Sequence, residues 1–162
     1  VRQFLNSTAD TFAWTPQTNY DRPPTGTPYN GAGFLKLLDP DLVAVLGSVN
    51  KQVARNTVTD GGGQDTFTDK VFLLSKVEVY GTTEGTTTGE SAYAYYSALA
   101  PEPTNSGLTG RIKYLSGSAR IWWLRSPSVS YSYFPRYVYT TGDVNNYNAY
   151  GSLGLAPAWC II

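Results

Sequence analysis

The last quarter of the chain, residues 121–162, constrains the fold most strongly. It reads IWWLRSPSVSYSYFPRYVYTTGDVNNYNAYGSLGLAPAWCII, and its only charged residues are Arg125, Arg136 and Asp143. An ordinary surface carries more charge than this segment, and an ordinary core has fewer hydroxyl and amide groups. Tyrosine gives a large contact area at low entropic cost, while serine, asparagine and glycine adapt their hydrogen bonds. The composition therefore indicates a recognition surface that the rest of the chain presents.

Length and charge limit the classes of protein that fit. The 162 residues suit one domain, and we expect residues 1–162 to form it, with residues 120–162 as an aromatic display segment. The 12 basic and 12 acidic side chains cancel, which predicts no nucleic acid partner. No apolar run approaches the roughly 20 residues that span a bilayer, so direct membrane insertion is not expected. The start on Val1 and the lack of Met predict a processed or trimmed fragment.

The sequence contains no recognisable catalytic or metal-binding motif. Histidine, the commonest general base and metal ligand, is absent. A zinc site would have to combine Cys160 with carboxylates, because neither CxxC nor HExxH occurs. Cys160 stands in the apolar sequence AWCII, which favours a small buried hydrophobe over a nucleophile. We therefore predict that the protein is not an enzyme and has no catalytic residue, metal site or cofactor.

The carboxylates are not joined by any motif of the kind that glycoside hydrolysis needs. We predict that they are solvated loop acids or helix caps at Asp60, Asp65, Asp69, Glu78, Glu84, Glu90 and Asp143. The sequence DGGG, residues 60–63, matches no phosphate-binding loop and is predicted to be a flexible turn. The segment GTTEGTTTGE, residues 81–90, is predicted to be an exposed loop because it is polar and rich in glycine.

Local patterns predict short helices and strands that are joined by long loops. The apolar spacing of residues 1–7 indicates a helix, and Asp39-Pro40 starts a short core helix that ends at Gly47. Prolines and glycines predict loops over residues 15–33 and 101–110. Strands are predicted over residues 52–58, 71–74, 121–124, 136–141, 144–150 and 155–162, with 121–124 central and 155–162 closing the sheet beside early elements.

The display segment should contain a β-hairpin. A two-residue type II′ turn is predicted at Gly142-Asp143 between residues 136–141 and 144–150. Along the first of these strands Tyr137 and Tyr139 share one face, which predicts an exposed aromatic face. The predicted core side chains of the segment are Trp122, Trp123, Leu124 and Trp159.

At WWLRSP, at the GD dipeptide and at YGSLGLAPAWCI, the chain resembles a family of bacterial and phage domains of uncertain function with the C-type lectin fold. It resembles in particular the variable proteins of diversity-generating retroelements. TDKVFLLS, residues 68–75, and RQFLNS, residues 2–7, extend the resemblance over much of the chain. The resemblance implies one α+β domain of C-type-lectin-like fold, in the formylglycine-generating-enzyme-like variant, with mixed small sheets, two short helices and long loops.

In that family a stable scaffold displays C-terminal residues that bind a ligand and are diversified by adenine-directed mutagenesis, typically at asparagine codons. Replacing the adenines of AAC or AAT never yields Trp, Lys, Gln, Glu or Met, and none of these occurs in residues 126–158. The resemblance thus implies a non-catalytic ligand- or receptor-binding module. The positions implied as ligand-binding are Val129, Tyr131, Tyr133, Phe134, Arg136, Tyr137, Tyr139, Asn145, Asn146, Tyr147, Asn148, Tyr150 and Ser152.

The resemblance also implies a location and a partner. It implies an extracellular protein, on a phage virion or a bacterial cell surface, that binds a protein or glycan receptor. The EPN and WND motifs of calcium-dependent sugar-binding lectins are missing, and the cysteine pair of formylglycine-generating enzymes is reduced to Cys160. The alternative function is a structural virion domain that uses the aromatic segment as a subunit interface. Any homo-oligomer is expected to form through a larger parent protein.

Overall fold

The computed structural model describes residues 1–15, 29–85, 87–99 and 108–162. These residues form an α+β structure with short helices and several small sheets. The helices are α1 (Arg2–Leu5), α2 (Pro40–Val45), α3 (Lys76–Tyr80), α4 (Ala94–Ser97) and a 3-10 helix (Phe34–Leu37). The strands are β1 (Leu46–Gly47), β2 (Val49–Ala54), β3 (Gln64–Asp69), β4 (Val71–Leu73), β5 (Lys113–Leu115), β6 (Ser118–Arg120), β7 (Trp122–Pro127), β8 (Pro135–Val138), β9 (Val144–Asn146) and β10 (Pro157–Ile161). Most of the predicted loops over residues 15–33 and 101–110 lie outside the described residues.

The chain divides into two compact units. The first comprises Val1–Asn50, Thr68–Phe72 and Pro157–Ile162, and the second comprises Lys51–Phe67 and Leu73–Ala156. The first unit contains a three-stranded sheet in the order β1, β10, β4, so the C-terminal strand is central. The prediction that the end of the chain returns to a sheet beside an early element is confirmed by the antiparallel pairing of β10 with β1.

Helix α2 begins where the sequence predicts a helix but is not a core helix. Asp39 accepts a hydrogen bond from the N–H of Asp41, and Pro40 occupies the first turn. The helix ends at Val45, where the chain passes directly into β1. None of its residues is buried. Leu46, predicted as part of the helix stripe, lies instead in that strand, where both residues are buried.

The prediction that Trp159 is a core side chain is wrong. Trp159 is 38% exposed, and Ile161, which shares its face of β10, is 67% exposed. Cys160 points to the other face and is only half-buried. An apolar run such as AWCII predicts burial on both faces of a strand, whereas this strand leaves one face largely open.

The second unit is organised around the sheet of β7, β8 and β9, in that order. Trp122 lies opposite Val138, and Trp123 lies opposite Tyr137. The prediction that Trp122, Trp123 and Leu124 form a core is confirmed, since all are buried. In the sheet order β7 is an edge strand, so the prediction that it is central is wrong, and its other edge carries an isolated parallel bridge from Trp122 to Gly154.

The strands of the second unit start and end at other residues than predicted. Strand β2 covers Val49–Ala54 rather than residues 52–58, and β9 stops at Asn146 rather than at residue 150. The DGGG sequence is a turn, as predicted, and its three glycines all have positive φ. Only glycine adopts such a run of left-handed conformations without strain, so these residues let the chain reverse direction between β2 and β3.

The turn between β8 and β9 has three residues, not the predicted two. The N–H of Gly142 donates to the carbonyl of Tyr139, and the N–H of Tyr139 donates to the carbonyl of Asp143. Gly142 has φ of 95°, which places it in the left-handed position that closes a three-residue hairpin loop. A β-carbon at Gly142 would lie 2.0 Å from the carbonyl oxygen of Leu108.

We expect Gly142→Ala to destabilise the protein by about 2 kcal/mol or more, because it combines a disfavoured φ with a clash against backbone. Gly61→Ala is the matched control, since Gly61 has φ of 72° but no atom within 4 Å of an added β-carbon. Urea denaturation of both variants measures the difference. Equal destabilisation would contradict the close approach of Gly142 to Leu108.

Candidate functional site

One face of the β7, β8 and β9 sheet carries several of the predicted binding residues. Trp123, Tyr137 and Asn145 lie opposite one another on the three strands, so their side chains share that face. Tyr139 and Tyr147 follow two residues after Tyr137 and Asn145 and continue the same face. We call Tyr137, Tyr139, Asn145 and Tyr147 the tyrosine face.

Tyr137 is the floor of the tyrosine face. It is only 9% exposed, and its ring centroid lies 6.1 Å from that of Trp123 and 6.3 Å from that of Tyr139. Burial raises the pKa of Tyr137, and the nearby Tyr139 and Tyr147 raise it further. The prediction that Tyr137 is substantially exposed is wrong, because Trp123 lies directly opposite on β7. Tyr139 and Tyr147 are both exposed and form the rim.

A second aromatic group lies in the loops that precede β8 and follow β9. The N–H of Ala149 donates to the carbonyl of Tyr133, so the two loops run side by side. The ring of Phe134 has its centroid 4.5 Å from that of Tyr133 and 5.1 Å from that of Tyr131. Tyr131 and Tyr133 are exposed, and Tyr150 is 80% exposed. These rings extend the uncharged aromatic surface beyond the sheet.

The structure brings the predicted binding residues to one hairpin and its flanking loops, with different degrees of exposure. The exposed members are Tyr131, Tyr133, Tyr139, Asn145, Tyr147, Tyr150 and Ser152. The half-buried members are Val129, Phe134, Arg136, Asn146 and Asn148, while Tyr137 is buried. The exposed members present phenol hydroxyls, amides and ring surface. Such groups supply contact area and adaptable hydrogen bonds.

Arg136 is held by a buried carboxylate. Its Nε and Nη2 donate to Oε2 and Oε1 of Glu84 at 2.8 and 2.9 Å, a bidentate pair. Lys76 Nζ lies 3.3 Å from Glu84 Oε2, and the backbone N–H of Val129 donates to Glu84 Oε1. Glu84 therefore ties together β8, helix α3 and the loop that contains Val129.

The charge of Glu84 is maintained by these partners. Burial alone would raise its pKa, but the hydrogen bonds and charge of Arg136, together with Lys76, lower the pKa below the ordinary 4.5. Most described residues of 81–90 are exposed, as predicted for this loop, but the prediction of a solvated Glu84 is wrong. Glu84 is buried because Arg136, far away in sequence, and Lys76 pair with its carboxylate, and Thr87 is buried as well.

A second buried ion cluster joins β2, α3 and β7. Glu78 Oε1 accepts from Lys51 Nζ at 2.7 Å, and Glu78 Oε2 accepts from Arg125 Nη1 at 2.6 Å. Arg125 also pairs with Glu90. Ser75 and Glu78 bond each other's backbone N–H in a capping box that starts α3. We call Lys51, Glu78, Glu90 and Arg125 the ion cluster.

The carboxylates of the ion cluster are not solvated, which corrects the prediction for Glu78 and Glu90. Glu78 takes part in the capping box of α3, which fits the predicted role of a helix cap. Its side chain is nevertheless buried and not solvated. Burial alone would raise the pKa of Glu78, yet Arg125 and Lys51 lower it. In the first unit Asp69 is likewise buried and pairs with Arg2 at 2.8 Å. Asp143 is exposed, as predicted.

Within the described ranges, no group of His, Cys, Asp and Glu is arranged to hold a metal ion. Among the helices of those ranges, none has the length and apolar character needed to cross a membrane.

Replacing Glu84 by Gln should destabilise the protein by about 3 kcal/mol, because it leaves Arg136 and Lys76 without their buried counter-charge. The lowered pKa of Glu84 adds stability that is present above pH 4.5 and is lost as the pH falls through the folded-state pKa. Glu84→Gln should therefore lose less stability than the parent on acidification. Asp10→Asn, at an acid that is 84% exposed, is the control in pH-dependent denaturation. Identical acid profiles for Glu84→Gln and the parent would contradict this role.

Comparison with known proteins gives one match. No curated protein and no solved structure matches the chain. The family DUF6273, described as a domain of unknown function, matches residues 1–162. The match includes both compact units and the whole aromatic segment. This chain therefore belongs to the DUF6273 family of domains of unknown function.

Proposed function

We propose that the protein is a non-catalytic ligand-binding module of C-type-lectin-like fold, in the formylglycine-generating-enzyme-like variant. Its ligand is a protein or glycan receptor on a cell surface, and its binding site is the tyrosine face with the adjoining loop aromatics. The module acts outside the cell, on a phage tail or a bacterial surface. A retroelement diversifies the exposed positions of this surface.

The observation that carries the proposal is the exposure of large aromatic side chains on an ordered hairpin. Tyr139 and Tyr147 on the rim, and Tyr131, Tyr133 and Tyr150 in the loops, are all exposed. Side chains this exposed add little to folding, because hydrophobic stabilisation scales with the apolar area that is removed from water. Tyrosine is enriched among the residues that dominate binding energy at interfaces. These rings therefore suit contact with a partner better than support of the fold.

The support beneath the tyrosine face favours binding by a preformed surface. Tyr137 packs edge-on against Trp123, and Arg136 on the same strand is clamped by Glu84. Both contacts restrict β8, the strand that carries the centre of the face. A surface that is ordered before binding loses less conformational entropy when the ligand arrives.

The division between fixed and exposed positions supports diversification. Trp123, Tyr137 and Val138 are buried. Tyr139, Asn145 and Tyr147, which lie on strands of the same sheet or directly after them, are exposed. Substitutions at exposed sites usually change stability by no more than about ±0.5 kcal/mol. The hairpin can thus accept many residues at its rim while its core stays constant.

Thermal melts of alanine variants test this division. Tyr139→Ala, Tyr147→Ala and Tyr150→Ala should each stay within about ±0.5 kcal/mol of the parent. Tyr137→Ala is the matched control on the same face and should cost about 3 kcal/mol, since truncation of a buried aromatic leaves a cavity. If the rim variants destabilise the protein as much as Tyr137→Ala, the surface is core and the proposal fails.

Two measurements test the role of the aromatic surface and its diversification. Light scattering should show that the isolated chain does not form a stable oligomer through its aromatic surface. An oligomer that buries more than about 2,000 Å² and covers these rings would instead favour a structural virion domain. Sequencing of the neighbouring DNA should reveal a reverse transcriptase gene and a near-duplicate of the last coding segment, and their absence would contradict diversification.

A further inference from the structure

The hairpin of β5 and β6 is a second exposed surface in the second unit. All its strand residues are exposed except Ala119, which is half-buried. Ser116 and Gly117 join the strands with φ of 52° and 77°, the left-handed pair of a type I′ turn, whose twist matches that of the strands. In the described part of the chain no third strand pairs with either edge. The hairpin is therefore an ordered projection with two open edges.

Two cations face each other across this hairpin. Lys113 is the register partner of Arg120, and like charges directly opposite each other destabilise a strand pair. Lys113 Nζ lies 5.7 Å from the ring centroid of Trp122. Among the ion pairs of the described residues, none joins Lys113 or Arg120 to a carboxylate. Within the described ranges, these two positive charges thus lie together without a paired carboxylate.

Apolar side chains accompany these charges. Leu115 is 64% exposed and shares a face of the hairpin with Lys113 and Arg120, while Tyr114 is 65% exposed on the other face. In a two-residue hairpin the pair nearest the turn is hydrogen-bonded, so the next pair, Tyr114 and Ala119, directs its N–H and C=O groups outward. One short ribbon therefore offers charge, apolar area and unpaired backbone groups together.

We propose that the β5–β6 hairpin docks an extended acidic segment of a partner protein. Carboxylates of the segment pair with Lys113 and Arg120, and an apolar side chain two residues further along the segment packs on Leu115. The backbone of the segment bonds to the outward groups of Tyr114 or Ala119, the mode by which peptides add to a free strand edge. A peptide fits these features better than a phosphate polymer, because the chain has no net charge and the cation pair lies beside an aliphatic side chain.

This surface is separate from the tyrosine face. Lys113 lies over Trp122, whereas the tyrosine face includes the side of β7 that bears Trp123. Successive residues of a strand point to opposite faces, so a ligand on the tyrosine face and a segment on the hairpin do not compete for the same side chains. Docking on the hairpin therefore does not require that the tyrosine face bind a receptor.

The test uses fluorescence anisotropy of a labelled synthetic peptide of alternating glutamate and valine. A peptide of alternating lysine and valine is the control of opposite charge. We expect the acidic peptide to bind the parent protein and to bind Arg120→Glu about tenfold more weakly, the effect of losing one close charge pair. Lys36→Glu is the matched control, because Lys36 is exposed and makes the same change of charge in the first unit. Leu115→Ser should also weaken binding without altering charge, and circular dichroism checks that each variant is folded.

Several outcomes would overturn the proposal. One is failure of the acidic peptide to bind, and another is equal loss of binding in Arg120→Glu and Lys36→Glu. Stronger, Arg120-dependent binding of anionic lipid vesicles or single-stranded DNA would assign the surface to a different class of partner. If Arg120→Glu unfolds, the milder Arg120→Gln with Leu115→Ser decides the question. Tyr139→Ala should bind the acidic peptide as the parent does, so a defect of the tyrosine face is distinguishable.

Discussion

The second unit depends on the pairing of Arg125 with Glu78. Neither charge tolerates burial alone, because the loss of hydration costs several kcal/mol for each ion and only close pairing offsets it. Arg125 is in β7, Glu78 caps α3, and Lys51 on β2 completes the cluster. Helix α3 and strands β2 and β7 therefore take their positions together or leave a charge unpaired. Glu84 and Arg136 repeat this arrangement closer to the tyrosine face.

The sequence predicted the parts of the fold that local pattern determines. Asp39-Pro40 marks a helix start, the Trp122 and Trp123 pair marks a buried strand, and DGGG marks a turn, because each depends on neighbours in the chain. Ser75 and Glu78 also have the spacing of a capping box, a local signal that indicates an acid with a fixed role. That spacing distinguishes Glu78, which has a fixed role in the capping box, from acids that are solvated.

The rest of the candidate site depends on partners far apart in sequence. Glu84 lies in a polar, glycine-rich segment, and it is buried because Arg136 on β8 pairs with its carboxylate. No local sequence pattern predicts that contact. Tyr137 alternates with its neighbours as an exposed residue would, yet Trp123 on the adjacent strand covers it. Strand alternation assigns a residue to a face but does not say whether that face is covered, so the exposed and buried tyrosines could not be told apart.

The close approach of Gly142 to Leu108 has a consequence at the level of codons. Every glycine codon begins with two guanines, and an adenine can occupy only its third, synonymous base. The tryptophan codon, which encodes Trp123 beneath the tyrosine face, contains no adenine at all. Under the proposed diversification, replacement of adenines cannot change either residue, although both lie within or beside the segment that varies. Gly142 and Trp123 would therefore stay constant while the exposed residues of the tyrosine face vary.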